Sequence, residues 1–306
     1  MEFLTTFVNG LSLGGIYAMI ALGYTMVYGI AKMLNFAHGD IIMVGGYTVH
    51  TVLPFLAILL SGVYNPTVAI ISSIIAIIAA MVFCMMLGIV VEKVAYKPLR
   101  GASPLAVLIT AIGVSYLLQS LAQMIFGSAP KHVNIKALDF GILKIGGLAI
   151  GYNTIITLVC SILVMIALSL FVKFSKTGRA MVAVSEDKGA AQLMGINVNR
   201  IIMITFAIGS ALAALASVFF LLKAPTMTPT FGSLPGIKAF TAAVIGGIGS
   251  IPGAMIGGIL LGVIECFAQA VPAISPYTDA IEFSILIILL LVKPSGLLGK
   301  MRREKV

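Results

Sequence analysis

Three polar side chains of different chemistry interrupt an otherwise apolar part of this sequence. The stretch MLNFAHGDIIMVGGY, residues 33–47, places an amide, an imidazole and a carboxylate at Asn35, His38 and Asp40. A carboxylate there could couple transport to an ion or relay a proton, and ionisable residues inside a membrane indicate function. Gln119 and Gln123 lie four residues apart and share one face of a predicted helix. They fit a polar wall along a pathway and hydrogen bonding between helices equally well.

Enzyme chemistry finds little support in the sequence. The histidines, His38, His50 and His132, occur without an HExxH motif, and the chain has no GxSxG motif. A GxxxxGK[ST] phosphate loop is also missing, so this chain does not hydrolyse nucleotides through that motif. The cysteines lie in apolar runs and are expected to be buried hydrophobes, not a disulfide or metal framework: Cys84, Cys160 and Cys266. We therefore predict no catalytic residues, no metal and no cofactor on this chain.

The composition is that of an integral membrane protein. Of 306 residues, 60% are hydrophobic and 9% are charged, and the mean hydropathy is +1.15. The net charge of +9 does not suggest nucleic acid, because the basic residues fall between hydrophobic runs. They collect near residues 93–100, 173–200 and 293–305, which the positive-inside rule places in the cytoplasm.

Eight apolar runs are long enough to cross a bilayer, which needs about 20 residues per helix. They are residues 3–30, 41–60, 66–91, 104–126, 153–172, 201–222, 236–271 and 276–292. The first run lacks the features of a secretory signal and is expected to remain as a helix. The seventh run is too long for one crossing and should break at residues 250–253, where Pro252 lies among glycines. We predict an all-α polytopic protein of 8–10 membrane or half-membrane helices. The N-terminal third leaves two alternatives: the chain starts outside, or one early run is broken.

Acidic and small residues in the last third have ordinary explanations. Glu265 is expected near a helix end where it reaches water, and Asp279 and Glu282 begin the last helix, where acids complement the helix dipole. The spacing of Gly258 and Gly262 is typical of closely packed membrane helices.

The loop of residues 173–200, KFSKTGRAMVAVSEDKGAAQLMGINVNR, is the largest hydrophilic interruption on the cytoplasmic side. We expect Ser185 to cap a short helix that carries Glu186 and Asp187 in its first turn and ends at Gly195. The apolar face of this helix would comprise Ala190, Ala191, Leu193 and Met194. Insertion of that face into a groove of a partner protein fits better than a plain loop or a lipid-surface helix.

At these segments the chain resembles the permease subunits of ABC importers for branched-chain amino acids, of the LivH type. The matching blocks are NGLSLGGIYAMIALGYTMVYGIAKMLNFAHGDIIMVGGY (9–47), TGRAMVAVSEDKGAAQLMGINVNR (177–200), AAVIGGIGSIPGAMIGGILLGVIE (242–265) and LVKPSGLLG (291–299). The cytoplasmic loop is similar to the E-A-A-x-x-x-G signature of ABC permeases at Ala190, Ala191 and Gly195. Gly189 replaces its glutamate, and the Leu-Pro that follows the signature is absent.

The resemblance implies one permease domain over residues 1–306, in the inner membrane of a bacterial or archaeal cell. Its partners would be a second, similar permease, two ATPase subunits that bind ATP, and an extracytoplasmic binding protein. The ATPases would contact the coupling loop, residues 173–200, at Arg179, Glu186, Asp187, Ala190, Ala191 and Gly195. Alternatives are a urea or short-amide ABC importer and an ion-coupled secondary transporter using Asp40 or Glu265.

The two polar or glycine-rich interruptions are then expected to be broken elements of two related halves, since GDIIMVGG and GAMIGG are faintly alike. Their residues would line the substrate pathway or hold its broken helices: Asn35, His38, Asp40, Gln119, Gln123, Gly249, Pro252 and Gly253. We favour the holding role, because a transporter that passes many molecules should not bind them tightly in its pore.

Overall fold

The described part of the chain is almost entirely helical. The computed structural model describes residues 2–59, 66–133, 141–145 and 148–299. Its α-helices are α1 (Glu2–Ala31), α2 (His38–Leu59), α3 (Pro66–Val91), α4 (Pro104–Phe126), α5 (Tyr152–Phe174), α6 (Lys176–Glu186), α7 (Lys188–Leu193), α8 (Val198–Lys223), α9 (Ser233–Gly246), α10 (Ile251–Ala270) and α11 (Thr278–Val292). Among the described residues, eight helical segments are long and apolar enough to cross a membrane, and α9 is a shorter apolar helix. The predicted all-α polytopic fold is confirmed.

Four short strands lie between helices in the described ranges. β1 (Lys131–His132) follows α4 and pairs antiparallel with β4 (Thr226–Met227), which follows α8. β2 (Ile142–Ile145) and β3 (Leu148–Gly151) form an antiparallel hairpin before α5. The pairing of β1 with β4 joins the ends of two distant helices at one end of the bundle.

Helix α1 forms the centre of the bundle. It is buried over most of its length from Gly10 onward and contacts α5, α8, α9 and α10. A Cβ atom on Gly258 of α10 would lie 2.4 Å from the Cα atom of Ala18, and one on Gly262 would lie 2.1 Å from the nitrogen of Gly14. The two backbones approach this closely only because side chains are missing at the contact. The predicted small-residue face is therefore an interface between α1 and α10.

The connection from α1 to α2 turns back into the bundle. Residues 32–37, called the extended segment here, form no regular helix, and Lys32 has a left-handed φ of 59°. The ring of His38, the first residue of α2, lies edge-on to Tyr24 with 4.6 Å between centroids. Tyr24 lies about 10 Å before the end of α1 at 1.5 Å per residue. The predicted break at residues 35–40 is confirmed as an extended segment followed by a helix that begins inside the bundle.

A second helix begins inside the bundle, at the same place. Residues 224–232 lead from α8 to α9, and a Cβ atom on Gly232 would lie 1.8 Å from the carbonyl oxygen of Gly39. One on Gly236 would lie 2.7 Å from the Cα atom of Gly39. The first residues of α2 and α9 therefore meet. The break at residues 35–40 lies against Gly232. The likeness of GDIIMVGG to GAMIGG had pointed to the Pro252 region as its counterpart.

The seventh apolar run is broken as expected, although a few residues earlier. α9 ends at Gly246 and α10 begins at Ile251. Gly247 and Gly249 make the turn with φ values of 104° and 95°, which glycine adopts without strain. Pro252 lies in the first turn of α10, a position that needs no backbone N–H donor. The glycines end one helix, and the proline starts the next.

Contacts at helix ends orient α1. The Nζ atom of Lys188 donates to the carbonyl oxygen of Ala31 at 2.9 Å, and Lys188 belongs to the loop that the positive-inside rule places in the cytoplasm. Near the other end of α1, the hydroxyl of Thr154 at the start of α5 lies 3.3 Å from the Oδ1 atom of Asn9. α1 therefore runs from the outer side to the cytoplasm, which supports an outside start of the chain.

Candidate functional site

A polar group of side chains lies where α2, α4 and α9 meet. The Nε2 atom of Gln119 on α4 donates to the Oδ1 atom of Asp40 at 2.8 Å. It also lies 3.2 Å from the hydroxyls of Ser115 and Ser233. An amide nitrogen carries only two hydrogens, so these three acceptors cannot all be served together. Ser115 also hydrogen-bonds the Asp40 carboxylate, so Asp40, Ser115 and Gln119 form one network.

These residues line a cavity of about 310 Å³, called the polar cavity here. Its walls are otherwise apolar or aromatic; the remaining lining residues are Tyr24, Phe36, Gly39, Leu108, Ile112, Tyr116 and Ile237. The volume is at the small end of the range for ligand sites, roughly 300–1,000 Å³. Its polar groups can hydrogen-bond a small solute while the walls contact a hydrocarbon side chain.

Asn35 and His38 lie behind this cavity and support the start of α2. Both are buried, with 3% and 1% of their surfaces exposed. The Oδ1 atom of Asn35 accepts a hydrogen bond of 2.8 Å from the hydroxyl of Tyr96. The ring of His38 fills the space beside Gly23, where a Cβ atom would lie 2.4 Å from its Nε2 atom. Their surroundings fit a holding role, which remains a prediction.

The other predicted pathway residues lie elsewhere. Gln123 is exposed one turn beyond Gln119 on α4. Gly249, Pro252 and Gly253 lie at the α9–α10 turn, where Gly249 faces Gly29 of α1. None of these four residues is among the lining residues of the polar cavity. Ser115 lies on the same polar face of α4 as Gln119 and joins Asp40 there, whereas Ser233 was not predicted and becomes recognisable only once the start of α9 is known.

The coupling loop folds as two short helices, α6 and α7. Ser185 and Glu186 end α6, and the side chain of Asp187 caps α7 by accepting from the nitrogen of Ala190 at 3.0 Å. Our expectation that Ser185 caps this helix is wrong, because α6 continues through it and the one residue between the two helices supplies the cap. Gly195, with a φ of 79°, follows the end of α7 as expected.

The tip of α7 exposes two large apolar side chains. Leu193 and Met194 are 91% and 82% exposed, whereas Ala191 faces inward and is buried. Ala190 and Arg179 are exposed on the same loop. Lys188 points back toward α1, and its burial, together with the nearby charge of Arg100, lowers its pKa. The loop thus has an anchored side and an exposed apolar tip.

A buried charge cluster joins α9, α10 and α11. The Nζ atom of Lys238 lies 2.8 Å from Glu265, 2.8 Å from Asp279 and 3.3 Å from Glu282. Lys238 is 4% exposed and Glu282 is fully buried, while the Asp279 side chain is 52% exposed. Each of the three acids has a local explanation in the sequence, and Lys238 was not predicted as a site residue. A lysine in an apolar run, with acids in the next two helices, was the available signal.

Comparison with known proteins agrees with this architecture. The family model described as the branched-chain amino acid transport system permease component matches residues 6–291. The high-affinity branched-chain amino acid transport system permease protein BraD of Pseudomonas aeruginosa is 44% identical over 308 residues, which cover 100% of this chain and 98% of that protein. The corresponding protein LivH of Escherichia coli (strain K12) is 40% identical over 311 residues, with the same coverage. The chain therefore belongs to the family of permease components of the branched-chain amino acid transport system.

Proposed function

We propose that this chain is a permease subunit of an ATP-driven importer of branched-chain amino acids. The observation that carries the proposal beyond family membership is the exposed apolar tip of α7, Leu193 and Met194, on an otherwise anchored cytoplasmic loop. Two large apolar side chains exposed together on a loop favour a protein partner. The partners we infer are two ATPase subunits that bind the ATP.

The polar cavity is the part of the substrate pathway that this chain supplies. Asp40, Gln119 and Ser233 offer hydrogen bonds, and Ile112 and Ile237 offer apolar contact. The adjoining face of α4 is apolar and exposed at Leu105, Ile109 and Tyr116. A second, similar permease subunit would cover that face and complete the pathway, and a binding protein would deliver the substrate on the outer side.

The alternatives differ in their chemistry. A secondary transporter using Glu265 would need a carboxylate that is free to exchange an ion, but Glu265 is paired with buried Lys238. A urea importer would have no use for the apolar wall of the polar cavity. Experiments can distinguish both alternatives from the proposed importer.

The test is reconstitution of the complete complex in liposomes. We expect ATP hydrolysis to be stimulated by binding protein loaded with leucine, isoleucine or valine, and uptake to be competed by leucine but not by urea. Leu193→Asp should abolish stimulation, and Leu193→Met, which keeps an apolar side chain, should retain it. Leu298→Asp, at a 47% exposed site after the last membrane helix, is the control for placing a charge on an exposed leucine outside the membrane. Uptake driven by a proton gradient without ATPases would contradict the proposal.

A further inference from the structure

The coupling loop contacts the extended segment at its beginning. Lys188, the first residue of α7, donates to the carbonyl oxygen of Ala31, the residue before the segment. The last carbonyls of a helix have no partner within it, and a lysine there also interacts favourably with the helix dipole. Lys188 therefore holds the end of α1 and the start of the extended segment to the coupling loop.

A second contact holds the middle of the extended segment. Asn35 accepts from the hydroxyl of Tyr96, and Tyr96 is fully buried against the ring of Phe206 at 5.2 Å between centroids. Tyr96 ends a π-helical turn, Glu92–Tyr96, that follows α3. Turns of this kind occur frequently at functional sites.

The same π-helical turn is tied to the other end of the coupling loop. Glu92 is buried and forms an ion pair with Arg100, and Arg100 also donates to the Oδ1 atom of Asn199. Asn199 lies in the first turn of α8, which follows the coupling loop directly. The loop therefore reaches the extended segment twice: through Lys188, and through Arg100, Glu92 and Tyr96.

The extended segment leads straight to the polar cavity. It ends just before His38, the first residue of α2. The next two residues are Gly39, which contacts the backbone of Gly232, and Asp40, which bonds Gln119. Because residues 32–37 form no regular helix, the segment can shift without breaking a helical ladder of hydrogen bonds. A shift of its start would move the heads of α2 and α9 together.

We propose that Lys188 and Tyr96 are positioning residues that carry movement of the coupling loop through the extended segment to Asp40 in the polar cavity. The inference rests on the proposed function, since it needs ATPases to move the loop. The contacts described above form a contiguous set, and a measured coupling energy between them is what establishes such transmission.

The experiment measures leucine transported per ATP hydrolysed in liposomes that contain the complete complex. Lys188→Met keeps the apolar stem but removes the donor; Tyr96→Phe removes one hydroxyl. For Lys188→Met we expect transport per ATP to fall about tenfold, the effect of losing one hydrogen bond with a charged donor, while stimulated hydrolysis stays near the wild-type rate. Lys188→Arg, which keeps a charged donor, should restore the ratio of leucine transported to ATP hydrolysed. Lys176→Met, at an exposed lysine on the same loop, should leave it unchanged.

The double variant separates transmission from general damage. If both residues act through one segment, Lys188→Met with Tyr96→Phe should lose no more than the larger single loss. An unchanged ratio in Lys188→Met, a parallel fall of transport and hydrolysis, or additive losses would each overturn the inference. A wild-type complex that shows no stimulated hydrolysis would overturn the proposed function first, so the two failures are distinguishable.

Discussion

Asp40 and Lys238 are both ionisable residues inside the bundle, but their surroundings give them different tasks. Asp40 faces the polar cavity and is bonded by the neutral side chain of Gln119. Lys238 faces away from that cavity and is surrounded by carboxylates of α10 and α11. The first residue can meet a solute, whereas the second ties α9, which carries Ser233, to the rest of the bundle.

Replacement of Lys238 should therefore lower stability. Lys238→Met leaves Glu265 and Glu282 buried without a cation, and breaking a buried ion pair in this way costs about 3–5 kcal/mol. Thermal unfolding of the purified complex in detergent measures the loss. Lys238→Met combined with Glu265→Gln and Glu282→Gln should recover part of the stability, because the two buried carboxylates are then neutral and the remaining one, Asp279, is half exposed. A triple variant as unstable as the single one would show that packing, not charge, is what Lys238 contributes.

Variants of Asp40 test whether transport needs a polar side chain or a negative charge at this position. Asp40→Asn keeps an oxygen that accepts from Gln119, so we expect at least half of the transport rate to remain. Asp40→Leu removes the carboxylate from the polar cavity and leaves Gln119 with only the longer contacts to the two serine hydroxyls. We expect transport to fall about tenfold, since a hydrogen bond to a charged group contributes about 1.5–3 kcal/mol. Leucine uptake at equal protein levels is the measurement. Equal losses in both variants would indicate that the negative charge itself acts.

The sequence singled out Asp40 and Gln119 separately but could not join them. Each is a polar residue in an apolar run, and this can be recognised from the sequence alone. Their contact spans 79 positions and depends on α2 beginning inside the bundle, and that start is set by the path of the extended segment. The Lys238 cluster was missed for the same reason, since each acid alone had a sufficient local explanation.

At the scale of helices, the sequence predicted those helix boundaries that are determined by residues close to them in the chain. Gly195 ends the α7 region, and Gly247 to Ser250 separate α9 from α10, because glycine conformation and side-chain capping act within a few residues. The cap of α7 was misplaced because Ser185 and Asp187 are both good caps. Only the continuation of α6 to Glu186 distinguishes them.

The α1–α10 interface gives a matched pair of glycine substitutions. Gly258→Ala places a Cβ atom 2.4 Å from the backbone of Ala18, so the helices must separate, and overpacking of this kind costs about 1–3 kcal/mol. Gly113→Ala, in the middle of α4, meets nothing within 4 Å and should be neutral or stabilising by up to about 1 kcal/mol. Thermal unfolding should place the midpoint of Gly258→Ala below that of the wild type and the midpoint of Gly113→Ala at or above it. Equal midpoints would mean that the α1–α10 contact is looser than the structure has it.

At the scale of the whole molecule, hydropathy and charge predicted a polytopic bundle but left its first orientation open. Parity could not decide, because counting crossings requires knowing that the extended segment and α2 make one crossing together. The contact of Lys188 with Ala31 supplies what the count lacked, since it places the end of α1 beside the cytoplasmic loop. When the short helix α9 is counted as a crossing, the described chain crosses the membrane an odd number of times, so its two ends lie on opposite sides.

This orientation predicts which cysteines a membrane-impermeant maleimide can reach. In a background with Cys84, Cys160 and Cys266 replaced by alanine, Glu2→Cys at the exposed start of α1 should be labelled in intact cells. Gln192→Cys, exposed on α7, should be labelled only in inside-out vesicles or after permeabilisation. Labelling of both sites in permeabilised cells is the control for accessibility. Because α1 is continuous from Glu2 to Ala31, labelling of both positions from the same side of the membrane would contradict the placement of the coupling loop beside the end of α1.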